Sequence, residues 1–188
     1  MTRVARERDR GVNPTVISGS GGRPATPDLA IDLAQFAASL DCARLGDGVI
    51  GAVKTNIADT LSCALAGSSA QGIAQVAALV KEWGGAAQAD IFVLGGRAPA
   101  HHAAWVNSAM CHARDYDDTH DAAILHAGVS SVPAAIAAAQ LRGTLSGAEL
   151  IAAVAAGLEV TCRLGTAIAV DIVESGFIYS SLLGYFGA

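Results

Sequence analysis

Charge is scarce in this sequence: 15% of the 188 residues are charged and 5% are aromatic. Disorder is excluded by the same numbers, because disordered chains combine low hydrophobicity with high charge and this one is 52% apolar. A net charge of -5 without a basic cluster argues against a nucleic-acid partner, which needs a cationic face. The four cysteines, Cys42, Cys63, Cys111 and Cys162, form no CxxC pair or metal knuckle. In Ala-rich surroundings they read as small hydrophobes in a reduced, cytoplasmic compartment. No apolar segment follows the charged opening MTRVARERDR, so no secretory signal is expected. The most apolar stretch, 148–170, is interrupted by Glu149, Glu159, Thr161 and Arg163, and reads as a buried helix and not a membrane span.

What is abundant is Ala and Gly in helical patterns. Residues 1–25, with Ser18 to Gly22 among them, read as a flexible leader. Thr26-Pro27-Asp28 is a helix start, with Thr26 as N-cap and a helix to about Leu40. Helices follow over 48–66, with an apolar face of Val53, Ile57, Leu61 and Leu65, and over 72–83, stopped by Gly84-Gly85. Ile91 to Leu94 is strand-like but too short for a sheet, and reads as an extended connector. Pro99 opens a helix to about Ala113, and two more cover about 130–141 and 146–164, the last with Ser146 and Glu149 spaced as a capping box. The expected fold is all-α, a helical bundle over 26–188. Its end, GFIYSSLLGYFGA, has no helix stop signal and reads as interrupted.

Chemistry concentrates in 107–126, NSAMCHARDYDDTHDAAILH, with four acids (Asp115, Asp117, Asp118, Asp121) and His112, His120 and His126. Acids this close raise one another's pKa unless water, helix N-termini or cations intervene. A solvated loop with Asp caps is the plain reading. Three metal readings compete with it. Asp117 to Asp121 matches DDxxD, but no second acidic cluster or basic partner follows. His120-Asp121 resembles the centre of an HD-type metal phosphohydrolase, with only loose partners in His101, His102 and Asp171. An EF-hand loop from Asp115 has His120 where Gly is needed and His126 where Glu is needed. No metal or cofactor is expected.

The whole segment resembles the MmgE/PrpD family, whose pattern stands here as Asn107-Ser108, His112, Asp115-Tyr116-Asp117-Asp118-Thr119-His120 and His126-Ala127. Gly96 to Ala100 and GFIYSSLLGYFGA fit the flanking blocks. The resemblance implies a helical domain joined to a second α+β domain, a site between them, and a homodimer. It implies a metal-free lyase or epimerase acting on small di- or tricarboxylates: 2-methylcitrate dehydration first, decarboxylation or epimerisation of a related acid second. The implied catalytic residues are Asp115, Thr119 and His126, with Asn107, His112 and His120 at the substrate. His126 suits proton exchange near neutrality, Thr119 can donate to a carboxylate, and Asp115 can orient an imidazole. Two departures stand out. Ile178 occupies a position where the family commonly has His, and the family's later lysines have no counterpart, so this chain alone is expected to be inert. A reading from another class is a non-catalytic helical module that associates through exposed apolar faces, without nucleic acid or membrane as partner.

Overall fold

The computed structural model describes residues 28–170 and 172–188; Thr26, Pro27 and the expected leader lie outside the described residues. The fold is all-α, as the Ala-rich helical patterning implies. Helix α1 (Leu29–Ser39) is capped by Asp28, whose carboxylate accepts from the Ala30 N–H. After one 3-10 turn, Cys42–Arg44, come α2 (Asp47–Gly67) and α3 (Ile73–Trp83). Gly84 ends α3 at φ 67°, a left-handed position that favours glycine.

Ile91 to Leu94 is not an extended connector. The strands lie on either side of it: β1 (Ala89–Asp90) pairs antiparallel with β2 (Arg97–Ala98), and the apolar run forms the loop between them. Gly95 and Gly96, both at positive φ, fold the loop back, and Ile91 is buried against α3 and α4.

Helix α4 (Ala100–His112) begins after Pro99 and packs against α2, α3 and α5 (Gly128–Arg142). A Cβ on Gly67 would collide with the Met110 carbonyl, so α2 and α4 cross closely at this glycine. Helix α6 (Gly147–Ala167) starts at the full Ser146–Glu149 capping box. It is long and apolar enough to cross a bilayer, yet it packs among α1, α2, α5 and α8. The short α7 (Ile172–Ser175) leads to α8 (Tyr179–Gly187), which lies on α6.

The core is in three parts. One fills the space between α2, α3, α4 and the hairpin, around Val80, Val106 and Met110. Another, around Val53, Val132 and Val154, joins α2, α5 and α6. The third anchors the loop after α4: Ala123 and Leu125 pack with Tyr179 and Leu183 of α8. Gly165 of α6 makes room for this, since a Cβ there would lie 2.5 Å from Leu125 and 2.7 Å from Ala123. The four thiols are free, and burial pushes Cys111 up to about 12 and Cys162 to about 11, which suits packing and not reactivity.

Candidate acid–base site

The site lies on the loop joining α4 to α5. Helix α4 ends at His112, and the chain turns sharply through Asp115, whose φ of 56° is left-handed. Asp tolerates that region better than most residues because its short side chain bonds locally. The turn sends consecutive acids in different directions and so relieves their crowding.

Asp117 goes inward, and its side chain has no solvent exposure. Its oxygens lie 3.0 and 3.1 Å from His112 Nδ1, the donor of this hydrogen bond. The same carboxylate is 3.1 Å from His126 Nδ1, close but not aligned for a hydrogen bond, so that buried nitrogen has no partner. His126 Nε2 lies 3.7 Å from Asp115 on the exposed side. The two imidazoles meet edge to face with centroids 4.9 Å apart. The hydrogen bond to Asp117 raises the His112 pKa above its ordinary value, with partial burial opposing it. His126 is held from behind: its backbone N–H donates to Ser180 Oγ on α8 at 2.8 Å.

Asp118 turns toward α5. Its carboxylate accepts from the Gly128 N–H at 3.0 and 3.1 Å, at the start of that helix, where the dipole favours an anion. Burial nevertheless pushes its pKa up, with the Gly128 hydrogen bond acting in the opposite direction. Only a glycine fits at 128: a Cβ there would lie 2.6 Å from Asp118, 2.8 Å from Thr60 and 3.0 Å from Asn56.

The structure therefore brings together Asp115 and His126 and adds His112 and Asp117. Thr119 is elsewhere. It lines a cavity of about 450 Å³ with Asn56, Asp118, His120 and Glu159, whose lining includes none of the four. His120 also staples the loop, because its Nδ1 accepts from the Ala123 N–H at 3.2 Å and its backbone bridges to Leu125. Asn107, implied by the resemblance to be a substrate contact, lies outside this cluster and bonds the hairpin. It is buried, its Oδ1 accepts from the Phe92 N–H at 2.8 Å, and its Nδ2 donates to the Asp90 carbonyl at 2.9 Å. Both ends of the carboxamide are committed to the hairpin, one to Asp90 of β1 and one to Phe92 of the loop. The DDxxD spacing is not used as a unit, since Asp117 and Asp118 diverge.

Asp117 and Ser180 were missed from sequence. Asp117 lies inside the motif, but which of two adjacent acids turns inward depends on the turn at Asp115. Ser180 sits in the final glycine-rich block, and only its position two residues past Ile178 hinted at a link. A second groove, about 510 Å³, runs between α1, α6 and α8, but its wall is apolar apart from Arg163 and offers no acid–base pair.

The domain is all-α and gathers two imidazoles and two carboxylates at the end of α4 and on the loop that follows it. The chain belongs to the MmgE/PrpD family: residues 31–188 match the MmgE/PrpD N-terminal domain. It is similar to the cis-aconitate decarboxylase-like protein oryM of Aspergillus oryzae (strain ATCC 42149 / RIB 40), 24% identical over 169 residues. That alignment covers 85% of this chain and 35% of the fungal protein, so the chain spans about a third of the curated relative it matches.

Proposed function

We propose that this chain supplies the helical part of the active site of a lyase acting on small di- or tricarboxylates, with dehydration of a 2-methylcitrate-like acid as the first reading. The observation that carries it is the pair of imidazoles around one buried carboxylate, at the positions where the family pattern falls. Dehydration removes a proton next to a carboxylate and protonates the departing hydroxyl. One base and one acid, a few ångströms apart, are what this needs. His112, whose pKa the hydrogen bond to Asp117 raises, is the acid, and its proton leaves with the oxygen as water. His126 is the base and takes the carbon-bound proton. Asp115 orients His126 from the exposed side. Thr119 and His120 sit on the neighbouring cavity, where they can meet a more distant carboxylate of a tricarboxylate. The reducing compartment suited to four free thiols is the cytoplasm.

The fungal relative's name favours a second reading, decarboxylation, in which one imidazole protonates the carbon from which carbon dioxide departs. The test is an assay of the chain alone and of the chain joined to a C-terminal part of a family member. 2-Methylcitrate and cis-aconitate are offered separately, with formation of unsaturated acid and release of carbon dioxide both followed. Unsaturated product from 2-methylcitrate without carbon dioxide is the expected result, with His126→Gln slowing it about 10²–10⁴-fold. Carbon dioxide from cis-aconitate establishes the second reading. Activity on either that His126→Gln leaves unchanged removes the site assignment.

A further inference from the structure

The same four side chains make a donor set that the sequence did not suggest. One ligand atom each from His112, Asp115, Asp117 and His126 lies within 4.8 Å of all the others. Two of the closest pairs, His112 Nδ1 to Asp117 and His126 Nδ1 to Asp117, are 3.0 and 3.1 Å apart. Ligands about 2.0–2.2 Å from one tetrahedral ion stand roughly this far from each other. A second, independent feature points the same way: His126 Nδ1 is buried and has no hydrogen-bond partner, although it faces a carboxylate. A buried ring nitrogen without a hydrogen-bond partner beside a buried anion is a position that a cation fills.

We infer that this cluster binds one divalent transition ion of the zinc class, in competition with protons. The donors decide the class. Two imidazoles with two carboxylates suit zinc, cobalt or nickel, whereas magnesium prefers an all-oxygen octahedron and keeps its waters. The charges also fit, since two carboxylates neutralise a divalent ion and the buried Asp117 gains a full counter-charge. Binding requires only modest closure: Asp115, whose side chain is 79% exposed, moves inward. As the ion enters, the Nδ1 proton of His112 leaves to solvent, so affinity rises with pH. This is a capacity and not a requirement for catalysis. Of the metal readings weighed from sequence, DDxxD used Asp117 to Asp121, the HD pair used His120 and Asp121, and the EF-hand ran from Asp115 to His126. None joined His112 to Asp115, Asp117 and His126, which the fold brings together from both ends of the loop. Its consequence, reversible inhibition by zinc through capture of both imidazoles, rests on the reading proposed above; the binding itself does not.

Calorimetric titration of the purified full chain with zinc chloride tests the binding without any substrate. One equivalent is expected, with protons released on binding, and magnesium chloride giving no heat. Asp117→Asn and His126→Ala are each expected to weaken binding by about tenfold or more, the scale on which a disturbed ligand shell acts. His101→Ala with His102→Ala, on the far end of α4, should leave it unchanged. X-ray absorption on the zinc-loaded unmutated chain gives a reading that does not depend on the variants folding: two imidazole ligands support the site. Zinc held by sulfur, no stoichiometric zinc, or binding that survives both Asp117→Asn and His126→Ala overturns it.

Discussion

His112 and Asp117 are joined by a hydrogen bond of 3.0 Å in which the carboxylate is shut off from solvent and the imidazole is not. The carboxylate cannot turn to water, so the imidazole does the compensating. This raises the His112 pKa above its ordinary 6.5. A histidine whose folded pKa is raised stabilises the fold fully below 6.5, and that contribution is lost as pH rises through the raised value. Asp117→Asn is expected to bring the His112 titration, followed by NMR of the ring, back toward 6.5. It should also flatten the fall in unfolding stability above that pH. An unmoved His112 titration would show that the pairing is not what holds the proton.

Asp118 shows the opposite balance of the same terms. Burial raises its pKa above the ordinary 3.8 despite the Gly128 hydrogen bond. A carboxyl raised on folding favours the folded state below 3.8 and loses that advantage as pH rises through its folded value, because the buried group must then ionise. Asp118→Asn keeps an acceptor for Gly128 and removes the charge. Thermal melts should therefore find the variant as stable as, or more stable than, the parent at neutral pH, with any gain vanishing in acid. A variant destabilised at neutral pH but not in acid contradicts this sign.

Much of the helical frame was legible, because caps are local chemistry. Ser146 with Glu149, and Gly84 after Trp83, act between residues three or four apart and work regardless of tertiary context. The buried face of α2 was not. Val53, Ile57, Leu61 and Leu65 are spaced by four, and each step of four advances about 40° around a helix of 3.6 residues per turn. The stripe therefore drifts off the core: Val53 is buried, but Leu61 and Leu65 are exposed, and Thr60, Cys63, Ala64 and Gly67 take the inner face. The hairpin was hidden for a different reason. Its strands are two residues each, and what fixes them is Asn107, distant in sequence, so no local pattern records it. The candidate site was legible as a segment but not as an arrangement, since Asp117 and Asp118 are chemically identical until the turn at Asp115 separates them.

Asn107 gives a test of that hidden constraint. Asn107→Ala leaves the Phe92 N–H and the Asp90 carbonyl without partners in a part-buried setting. Each orphaned group costs about 1–3 kcal/mol, so denaturant unfolding should show a loss of a few kcal/mol. The His112 titration should stay where it is, because the hairpin is not part of the acid–base cluster. A variant of unchanged stability that lost substrate affinity would return Asn107 to the substrate.

Gly128 is expected to reject even a methyl group. In Gly128→Ala the new Cβ meets three oxygens, from Asp118, Thr60 and Asn56, at 2.6–3.0 Å. These belong to a helix interior and a pinned loop, which cannot all move aside. Overpacking of this kind costs about 1–3 kcal/mol. The displaced carboxylate would shift the loop that carries Asp117, so loss of stability should come with a changed His112 titration. Stability loss without any change at His112 would show that the two halves of the loop are mechanically independent.

The last expectation concerns the surface of α8 and its approach. Phe177, Ile178, Tyr185 and Phe186 are all more than half exposed, and Tyr185 reaches 85%. They lie close in sequence, and Phe186 also borders the apolar groove against α1, where Leu29 is exposed too. Burying one large apolar side chain is worth roughly 1.5–3 kcal/mol, so a patch of several gives association a substantial driving force even after the entropy of docking is subtracted. Contiguous exposed patches of this kind mark interfaces or aggregation sites. Light scattering on the chain across a concentration series should give a mass above 18.9 kDa that rises with concentration. Tyr185→Lys with Phe186→Glu places charges in the patch without touching the buried Leu183 or Tyr179, and should return the mass toward the monomer. If the parent chain is monodisperse at 18.9 kDa throughout, or if the double variant associates as strongly as the parent, this surface is not what drives association.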